Sequence, residues 1–537
     1  MRLLALPLFS FLFISSVSFA RLPQNDHEDF LQCLSSKSQP PNPISDAIYT
    51  PNNSSFQDVL ENYVRNLRFS TPSTPKPLAV VAAKHESHVQ ATVLCSKSLG
   101  LQIRIRSGGH DYDGLSYVSQ VPFIVLDMSN LRSIDIDIKD ETAWAQAGAT
   151  LGELYYRIAE KSNVHGFAAG VCPTLGLGGH ISGGGYGNMM RKYGLSVDNI
   201  VDAQIVDVEG RILDGKSMGE DLFWAIRGGG AASFGVVLSW KVKLVPVPER
   251  VTVFQVVRSI GQQGGTDLVW KWQQVADKLD QDLFIRLTLQ PTNGTINAIF
   301  VGMFLGNAQK LLPLMDASFP ELGLQKNDAI EMRWIESTVF WFGMPKGTPI
   351  QALLNRTSKA TVSYLKRKSD YVKQPISKAD LESIWKVMTQ IGEVGMAWNP
   401  YGGKMSEISE TETAFPHRAG NLYKIQYFVN WKEDGIETTF RYLNLTRTLH
   451  DAMTPYVSKN PREAFLNYRD VDIGSIGSSG TGTFQEASVY GHSYFKGNFD
   501  RLVRVKTAVD PENFFRYEQS IPIQSASVYS KGTVGSI

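Results

Sequence analysis

The sequence predicts an α+β protein with two domains, and three observations support this fold class. Short apolar strands alternate with helices in the first part of the chain, and dense glycine loops follow them. From about residue 250 the composition changes, and long amphipathic helices alternate with strands. We therefore expect an N-terminal segment and first domain over residues 21–249, and a second domain with an antiparallel sheet and covering helices over residues 250–464.

The first twenty residues have the features of a secretory signal peptide. Arg2 supplies a positive charge, residues 3–17 are nearly all apolar, and Ala20 ends a small-x-small cleavage pattern. The apolar run is shorter than the roughly 18 to 20 residues that a membrane span needs. The sequence thus predicts a secreted protein, extracellular or in a cell wall, without a membrane span. Five Asn-x-Ser/Thr sites agree with secretion: Asn52, Asn53, Asn293, Asn355 and Asn444.

The charge of the chain indicates which partners it can bind, and its cysteine content limits the possible disulfides. The chain carries 53 Lys and Arg against 52 Asp and Glu, which argues against a nucleic-acid surface. Only three cysteines occur, so one is left over when two pair in an oxidising compartment. We expect Cys33 to pair with Cys95, which lies on a predicted helix over residues 85–99. Cys172 lies in a glycine-rich loop, where a structural thiol has little to pack against.

The elements of the first domain follow from hydrophobic patterns and helix-start signals. Residues 77–83 form a continuous apolar run, and residues 101–106 alternate as a strand does. Thr150 with Glu153 resembles a capping box that opens a helix through residue 161. The remaining strands are predicted at 121–126, at 142–148, and across 200–245, where Arg227 and the glycines at 228–230 interrupt them.

In the second domain, amphipathic helices are predicted over 266–279, 307–319 and 378–391, with a strand at 284–289. Another strand is predicted over 422–431. Because side chains alternate along a strand, Lys424, Gln426, Phe428 and Asn430 share one of its faces.

Several short motifs are absent or misleading. Residues 210–217 match the phosphate-loop pattern G-x4-G-K-S, but residues 211–213 have the pattern of the second arm of a hairpin that turns at Glu209 and Gly210. No G-x-G-x-x-G, HExxH or CxxC motif occurs, so dinucleotide-fold, zinc-protease and thiol-redox functions are unsupported. No metal site is predicted.

Three glycine-rich loops carry the functional signal of the first domain. They span residues 106–112, 172–187 and 227–235, and His110 and the surplus Cys172 lie in the first two. Adjacent glycines let backbone amides approach and surround a pyrophosphate. The candidate cofactor-binding residues are Arg106, Ser107, Gly108, Gly109, Gly178, Gly179, His180, Ser182, Gly183 and Gly184.

These loops resemble those of the berberine bridge enzyme-like family of plant flavoproteins, which have the vanillyl-alcohol oxidase type of FAD fold. The matching segments are residues 106–117, 172–187, 216–235, 415–427, 467–474 and 510–522. The resemblance implies an FAD-binding domain over 21–249, a substrate-binding domain over 250–464, and a C-terminal segment, 465–537, that returns to the FAD domain. It also implies covalent FAD, bonded through its 8α-methyl carbon to His110 and through its C6 to Cys172.

The same resemblance assigns the catalytic residues. Tyr468 matches the family's tyrosine base, and Lys424 is the candidate cation that lowers its pKa. Tyr112, Tyr186 and Gln426 are expected to line the substrate. Alkaloid-oxidising relatives carry a glutamate near Gln426, so the amide here argues against alkaloid ring closure.

The resemblance also assigns an oxygen gate. Leu175 matches a gate beside the flavin, where valine is found in oxidases and bulkier residues are found in dehydrogenases.

The resemblance leaves three functions open. The first is oxidation of a primary allylic or benzylic alcohol of the monolignol type, by a dehydrogenase in preference to an oxidase. The second is oxidation of a sugar or oligosaccharide at its anomeric carbon. The third is a non-redox cyclase or an inert flavin-binding protein. The expected partners are a small alcohol or sugar and a quinone-like acceptor or oxygen, and the protein is expected to be a monomer.

Overall fold

The computed structural model describes residues 23–357 and 362–524, so the predicted signal peptide lies outside the described residues. Within them, the strands form four sheets. Three of these are built from strands before residue 247, and one seven-stranded sheet is built from strands after residue 250. The change of sheet falls next to the boundary that the sequence predicts at residues 249 and 250.

The first sheet has the strand order β1-β2-β4-β3, with β2, β4 and β3 parallel and β1 antiparallel to β2. Its strands are β1 (Ile48–Tyr49), β2 (Ala79–Ala82), β3 (Gln102–Arg106) and β4 (Phe123–Asp127). Its helices are α1 (Pro23–Lys37), α2 (Phe56–Glu61) and α3 (Glu86–Leu99). The predicted disulfide is present: Cys33 is bonded to Cys95 and ties α1 to α3.

The second sheet is antiparallel, with the order β5-β6-β10-β8-β9, and a two-stranded sheet pairs β7 with β11. The strands are β5 (Ile134–Asp137), β6 (Thr142–Gln146), β7 (His165–Gly166), β8 (Ile200–Val206), β9 (Ile212–Leu213), β10 (Val236–Lys243) and β11 (Val245–Pro246). The helices are α4 (Leu151–Lys161), α5 (Leu177–Ser182), α6 (Met190–Tyr193) and α7 (Gly215–Ile226). The capping box at the start of α4 is confirmed, since Thr150 and Glu153 bond each other's backbone amides.

One prediction in this region is wrong. The sequence predicts strands over residues 200–245, broken by Arg227 and the glycines at 228–230, but Gly215–Ile226 form α7. Asp214 caps this helix by accepting a hydrogen bond from Ser217 N, which explains why the helix starts there. The hairpin prediction is confirmed, because β8 pairs with β9 and Gly210 takes a positive φ of 71° in the turn between them.

The third unit is a seven-stranded antiparallel sheet with the order β15-β12-β14-β13-β17-β18-β16. Its strands are β12 (Val251–Ser259), β13 (Leu283–Thr292), β14 (Thr295–Phe304), β15 (Ile330–Met332), β16 (Tyr364–Val372), β17 (Gly395–Pro400) and β18 (Tyr423–Trp431). Its helices are α8 (Gly265–Val275), α9 (Ala308–Ser318), α10 (Trp334–Trp341), α11 (Lys378–Ile391), α12 (Lys404–Glu407) and α13 (Ile436–Ala452). The three predicted helices correspond to α8, α9 and α11.

The last segment contains α14 (Phe484–Phe495) and α15 (Phe499–Val509) and returns to the first part of the molecule. Glu518 forms an ion pair with Arg104 of β3 at 2.9 Å. Lys506 of α15 donates to Ser233 O at 2.8 Å. These contacts join the end of the chain to β3 and to the segment before β10. No helix among the described residues is long and apolar enough to cross a membrane.

Candidate active site

A cavity of about 350 Å³ lies where the glycine loops meet the seven-stranded sheet. The loops after β3 and around α5 line one part of it, and Arg286 of β13 and Gln426 of β18 line another. The segment 465–469, which contains a short 3-10 helix (Leu466–Tyr468), closes the remaining side. The cavity therefore joins residues that are more than 300 positions apart in the sequence.

The glycines of these loops allow close packing on one side and leave open space on the other. Gly109 has a φ of 67°, and a Cβ there would lie 1.6 Å from Tyr63 O, so only glycine fits. A Cβ at Gly179 would meet no atom within 4 Å, and this residue lines the cavity. The backbone at Gly179 thus leaves room for a ligand that a side chain would occupy.

Most of the predicted cofactor-binding residues line this cavity. They are Ser107, Gly108, Gly109, His110, Cys172, Gly178, Gly179, His180, Ser182 and Gly183. Arg106 and Gly184 are not among the lining residues. Arg106 is fully buried and pairs with Asp127 at 2.5 Å, and a Cβ at Gly184 would meet Phe415 at 2.9 Å. Both residues pack the loop from behind.

His110 and Cys172 are brought together by a third residue, Thr174. His110 Nε2 lies 2.8 Å from Thr174 Oγ1, and Cys172 Sγ lies 3.5 Å from the same oxygen. Burial lowers the pKa of His110 to about 3, with a smaller contribution from Arg65, so the imidazole is neutral. Burial raises the pKa of the Cys172 thiol, and the hydrogen bond with Thr174 and the charge of Arg65 oppose this increase.

His180 has a fixed tautomer in the neutral state. Its Nε2 accepts a hydrogen bond from Gly170 N at 3.1 Å, so the ring proton belongs on Nδ1. Burial lowers the pKa of His180 to about 3, and Lys424 adds to this effect. His180 therefore presents a neutral imidazole at the cavity wall.

The five residues predicted to be catalytic are close together. The Tyr186 and Tyr468 hydroxyls share a hydrogen bond, and the Tyr112 ring centroid lies 5.7 Å from that of Tyr468. Gln426 Nε2 donates to the Tyr112 hydroxyl at 3.3 Å. All of these residues except Lys424 line the cavity, and Lys424 lies behind the tyrosine rings.

Lys424 contacts aromatic faces and no carboxylate. Its Nζ lies 3.2 Å from the Tyr186 ring centroid, 3.8 Å from that of Phe465 and 4.5 Å from that of Tyr468. It takes part in no ion pair among the described residues. Burial lowers the pKa of Lys424 well below its ordinary value, and the charge of Arg286 adds to this effect. The three rings act in the opposite direction, because their negative faces favour the ammonium.

Sequence reasoning missed Arg286, the cation that most affects Tyr468. Burial raises the pKa of Tyr468 well above its ordinary value, the neighbouring tyrosines raise it further, and Arg286 is the positive charge that opposes them. Asn399 holds Arg286 by accepting from its Nε at 2.7 Å. The signal was available, because Arg286, Thr288 and Gln290 form a partly buried polar face on β13, as Lys424 and Gln426 do on β18.

Leu175 lies at the cavity wall next to Gly170. Its Cδ1 would lie 3.4 Å from a Cβ placed on Gly170, and its backbone carbonyl accepts from Leu151 N at 2.9 Å. The side chain is therefore held at the lining by a fixed backbone. The five asparagines of the predicted glycosylation sites lie at the surface, and all are exposed.

A buried ionic cluster lies behind the catalytic segments. Lys366 of β16 bonds Asp113 at 3.1 Å and Asp470 at 2.7 Å, and Lys368 bonds Asp470 at 2.5 Å and Asp472 at 2.9 Å. Asp113 follows Tyr112 in the chain, and Asp470 is two residues after Tyr468. The cluster thus connects the loop that carries His110 to the segment that carries Tyr468.

Comparisons with known proteins agree with this geometry. A family model described as an FAD binding domain matches residues 77–216, and one described as berberine and berberine like matches residues 464–522. Berberine bridge enzyme-like 14 of Arabidopsis thaliana is 61% identical over 517 residues, which are 96% of this chain and 97% of that protein.

Two solved structures extend the comparison to the fold. The structure of BBE-like number 28 from Arabidopsis thaliana has a TM-score of 0.87 and 46% identity, and the match covers 93% of this chain and 100% of that chain. Phl p 4, a grass pollen allergen with glucose dehydrogenase activity, has a TM-score of 0.87 and 42% identity, and the match covers 92% of this chain and 100% of that chain. An isoleucine-to-valine variant of Phl p 4 is described as a glucose oxidase.

Proposed function

Because this chain belongs to the berberine bridge enzyme-like family of FAD-dependent oxidoreductases, we propose that it oxidises a primary allylic or benzylic alcohol of the monolignol type to the aldehyde. In this proposal FAD is attached covalently to His110 and Cys172, and Tyr468 is the base. The observation that carries the proposal is the cavity wall of Tyr112, Tyr186 and Tyr468, whose rings suit a flat, conjugated alcohol.

The residues of the cavity fit the cofactor. The glycine loops at Gly108 and Gly179 give backbone access along one part of the cavity, as a pyrophosphate requires. His110 is held neutral by burial, as a nitrogen that forms a bond to carbon must be. Cys172 lies close enough to share a hydrogen-bond partner with it. These residues would hold the isoalloxazine ring between the glycine loops and the tyrosine wall.

When bound, FAD supplies a hydride acceptor for the carbon that carries the substrate hydroxyl. Tyr468 removes the hydroxyl proton after its own phenol has been deprotonated. Tyr186 donates a hydrogen bond to the Tyr468 oxygen when that oxygen is anionic, and Gln426 orients Tyr112 through its hydroxyl. Lys424 and Arg286 place positive charge next to Tyr468, which favours the tyrosinate.

A second candidate function is oxidation of a sugar or oligosaccharide at its anomeric carbon. It is favoured by the 42% identical Phl p 4, which is described as having glucose dehydrogenase activity. Arg286 and Gln426 supply polar groups at the same cavity that could bond sugar hydroxyls. The two candidates share Tyr468 as base and differ only in the shape of the substrate beside the tyrosine rings.

The experiment that separates the two candidates is anaerobic bleaching of the oxidised flavin band by single substrates. Cinnamyl-type and benzylic alcohols are expected to bleach the band within seconds, and glucose and oligosaccharides are expected to bleach it far more slowly. Fast bleaching by sugars alone would replace the first candidate with the second. If no alcohol or sugar bleaches the band, the redox function itself is contradicted.

Covalent attachment is tested by acid precipitation. The precipitated protein is expected to stay yellow, because two bonds hold the flavin. In Cys172→Ala, the flavin is expected to remain attached through His110, and mass analysis of peptides should find it there alone. Release of all flavin from the unmodified protein into the supernatant would contradict the covalent attachment.

We further propose that the protein is a dehydrogenase that passes electrons to a quinone-like acceptor and reacts slowly with oxygen. Leu175 lines the cavity and is one methylene larger than valine. Phl p 4 is described as a glucose dehydrogenase and its isoleucine-to-valine variant as an oxidase, which is consistent with control of oxygen access by one methylene.

Leu175→Val is expected to speed flavin reoxidation by air while leaving reduction by substrate nearly unchanged, and stopped-flow measurement of both half-reactions checks this. Leu175→Met, which nearly keeps the side-chain volume, is the matched control and should stay slow. Rapid hydrogen peroxide production by the unmodified protein would contradict the proposal.

The setting of this activity is proposed to be outside the cell. The disulfide between Cys33 and Cys95 is consistent with an oxidising compartment. The exposed asparagines of the five glycosylation sites are accessible to modification. We propose a secreted, glycosylated monomer, which mass analysis after deglycosylation and size-exclusion chromatography can check.

A further inference from the structure

One hydroxyl lies between the two residues to which we propose FAD is attached. Thr174 Oγ1 lies 2.8 Å from His110 Nε2 and 3.5 Å from Cys172 Sγ, and Thr174 is 1% exposed. We propose that Thr174 is a positioning residue for flavin attachment, whose hydroxyl sets both residues in the states that can form bonds. This inference rests on the proposed covalent attachment at His110 and Cys172.

The position of the proton on His110 decides which of its nitrogens can react. A neutral imidazole carries one proton, on either Nδ1 or Nε2, and the nitrogen without the proton has the lone pair that can bond to carbon. If Nε2 donates its proton to Thr174 Oγ1, the lone pair is on Nδ1, which makes no other contact with the threonine hydroxyl. The threonine as acceptor therefore selects the reactive tautomer.

The same hydroxyl then has its own proton left to donate. An oxygen that accepts from His110 Nε2 can donate to Cys172 Sγ, and a donor at this place stabilises the thiolate relative to the thiol. In the opposite orientation the thiol donates to the hydroxyl and the hydroxyl donates to Nε2. His110 Nδ1 and Cys172 Sγ would then each carry a proton, although each needs a free lone pair to bond to the flavin. One hydroxyl thus couples the reactive states of His110 and Cys172.

The surroundings of the two residues favour a neutral His110 but disfavour the thiolate form of Cys172. Burial keeps the imidazole of His110 uncharged, since it lowers the pKa of His110 to about 3. Burial also raises the pKa of the Cys172 thiol, which disfavours the thiolate, and Thr174 and Arg65 are the groups that counter this effect. Cys172 consequently depends on Thr174 more than His110 does.

Thr174 is held in place by contacts that do not involve its side chain. The carbonyls of its neighbours Pro173 and Leu175 accept from Gly152 N and Leu151 N, each at 2.9 Å, at the start of α4. These bonds fix the loop backbone at the first turn of a helix whose capping box is complete. Removal of the hydroxyl therefore leaves the backbone of the loop anchored.

The bond-forming steps are balanced by an external oxidant. His110 Nδ1 replaces one hydrogen of the 8α-methyl group, and Cys172 Sγ replaces the hydrogen on C6 of the flavin ring. Each replacement breaks one C–H bond and one N–H or S–H bond, and it releases two protons and two electrons. The electrons pass through the flavin to an acceptor such as dioxygen, which takes up the two protons and becomes hydrogen peroxide.

The test compares Thr174→Val with Thr174→Ser, because valine keeps the shape and removes the hydroxyl while serine keeps the hydroxyl. Synthesis of each protein is started at a set time, and samples taken at intervals are purified with their flavin and digested. Mass analysis then measures the peptides that carry flavin on His110, on Cys172 or on both. Thr174→Ala serves as a second hydroxyl-free variant in case valine disturbs folding.

In Thr174→Val and Thr174→Ala, attachment to Cys172 is expected to form on the order of tenfold more slowly, as expected for loss of a hydrogen bond to a charged group. Attachment to His110 should slow less, and Thr174→Ser should behave as the unmodified protein. Unchanged rates in both hydroxyl-free variants, or a serine variant as slow as valine, would overturn the role of the hydroxyl. Release of all flavin from the unmodified protein would overturn the covalent attachment and this inference together.

Discussion

Two buried lysines in neighbouring strands of the seven-stranded sheet have opposite surroundings. Lys366 of β16 bonds the carboxylates of Asp113 and Asp470, and this environment raises its pKa above the ordinary lysine value. Lys424 of β18 contacts three aromatic rings and no carboxylate of the described residues, and its pKa is well below the ordinary value. Both side chains are almost fully buried, so the difference between their pKa values comes from the groups that they contact.

The two lysines therefore differ in role: Lys366 connects structural segments, and Lys424 lies beside the proposed catalytic base. A lysine that bridges two carboxylates is permanently charged and connects the segments that carry them, here the residues after Tyr112 and after Tyr468. Burial lowers the pKa of a lysine over aromatic rings, and its charge responds to that of its neighbours. Lys424 and Tyr468 are best regarded as one titrating pair, because the charge on each group changes the pKa of the other.

The largest effect is expected at the ring that Lys424 covers. Tyr468→Phe keeps the ring and the cation–π contact and removes the proton acceptor, so flavin reduction by substrate should slow on the order of 10² to 10⁴. Stopped-flow measurement of the reduction rate at saturating substrate checks this. A variant that reduces its flavin at the original rate would remove Tyr468 from the mechanism and leave Lys424 without a catalytic partner.

Lys366→Met is expected to cause the next largest effect, on stability. It removes the lysine that bridges Asp113 and Asp470 and leaves each carboxylate with one cation, Arg68 and Lys368 respectively. Because breaking a buried pair completely costs about 3 to 5 kcal/mol, we expect a loss of roughly 3 kcal/mol of the free energy of unfolding. Because the pKa of Lys366 is raised, its stabilising contribution is complete below the ordinary lysine pKa and declines as the pH rises through its folded value. Denaturant unfolding of the variant at neutral pH measures the loss.

The control for this prediction is an exposed lysine in an ion pair. Lys378 pairs with Asp267 at 2.6 Å, and its side chain is 50% exposed. Lys378→Met should change the free energy of unfolding by about 1 kcal/mol or less. Equal losses in Lys366→Met and Lys378→Met would show that the buried cluster does not stabilise the protein as its geometry indicates.

Lys424→Met is expected to have the smallest effect, and it should change rate and stability in opposite directions. Without the nearby positive charge the tyrosinate is less favoured, and flavin reduction should slow roughly tenfold for each unit by which the pKa of Tyr468 rises. The rise of this rate with pH should move to higher pH, because the tyrosinate has lost a nearby cation. The melting temperature should increase, because the uncharged methionine avoids the cost of burying an ammonium that has no carboxylate beside it among the described residues.

The stability of the two lysine variants can also be followed against pH. With the pKa of Lys424 lowered, the unfolded chain binds more protons than the folded protein between the folded pKa and about 10.4, so stability rises with pH in that range. Lys424→Met should lack this rise. A melting temperature that falls in Lys424→Met would contradict the assignment of Lys424 as a destabilising, functional cation.

Several residues of the site could be predicted from the sequence, and others could not. Strand alternation placed Lys424 and Gln426 on one face of β18, and both lie beside the tyrosine cluster. Arg286 lies on an equivalent face of β13 and was missed, because no motif marks that strand. Thr174 was also missed, because its value depends on the distance of its hydroxyl from His110, a residue 64 positions away.

The sequence by itself determined the features that depend on neighbours along the chain. The capping box at Thr150, the hairpin at Gly210 and the glycine loops follow from preferences that act over a few residues. Only the tertiary structure decided which charges have partners. Arg106 resembled a cofactor ligand but pairs with Asp127, and Lys366 and Lys424 look alike in the sequence but have opposite environments. The physical reason is that burial and electrostatic interaction depend on distances in space, and in this protein segments hundreds of residues apart set those distances.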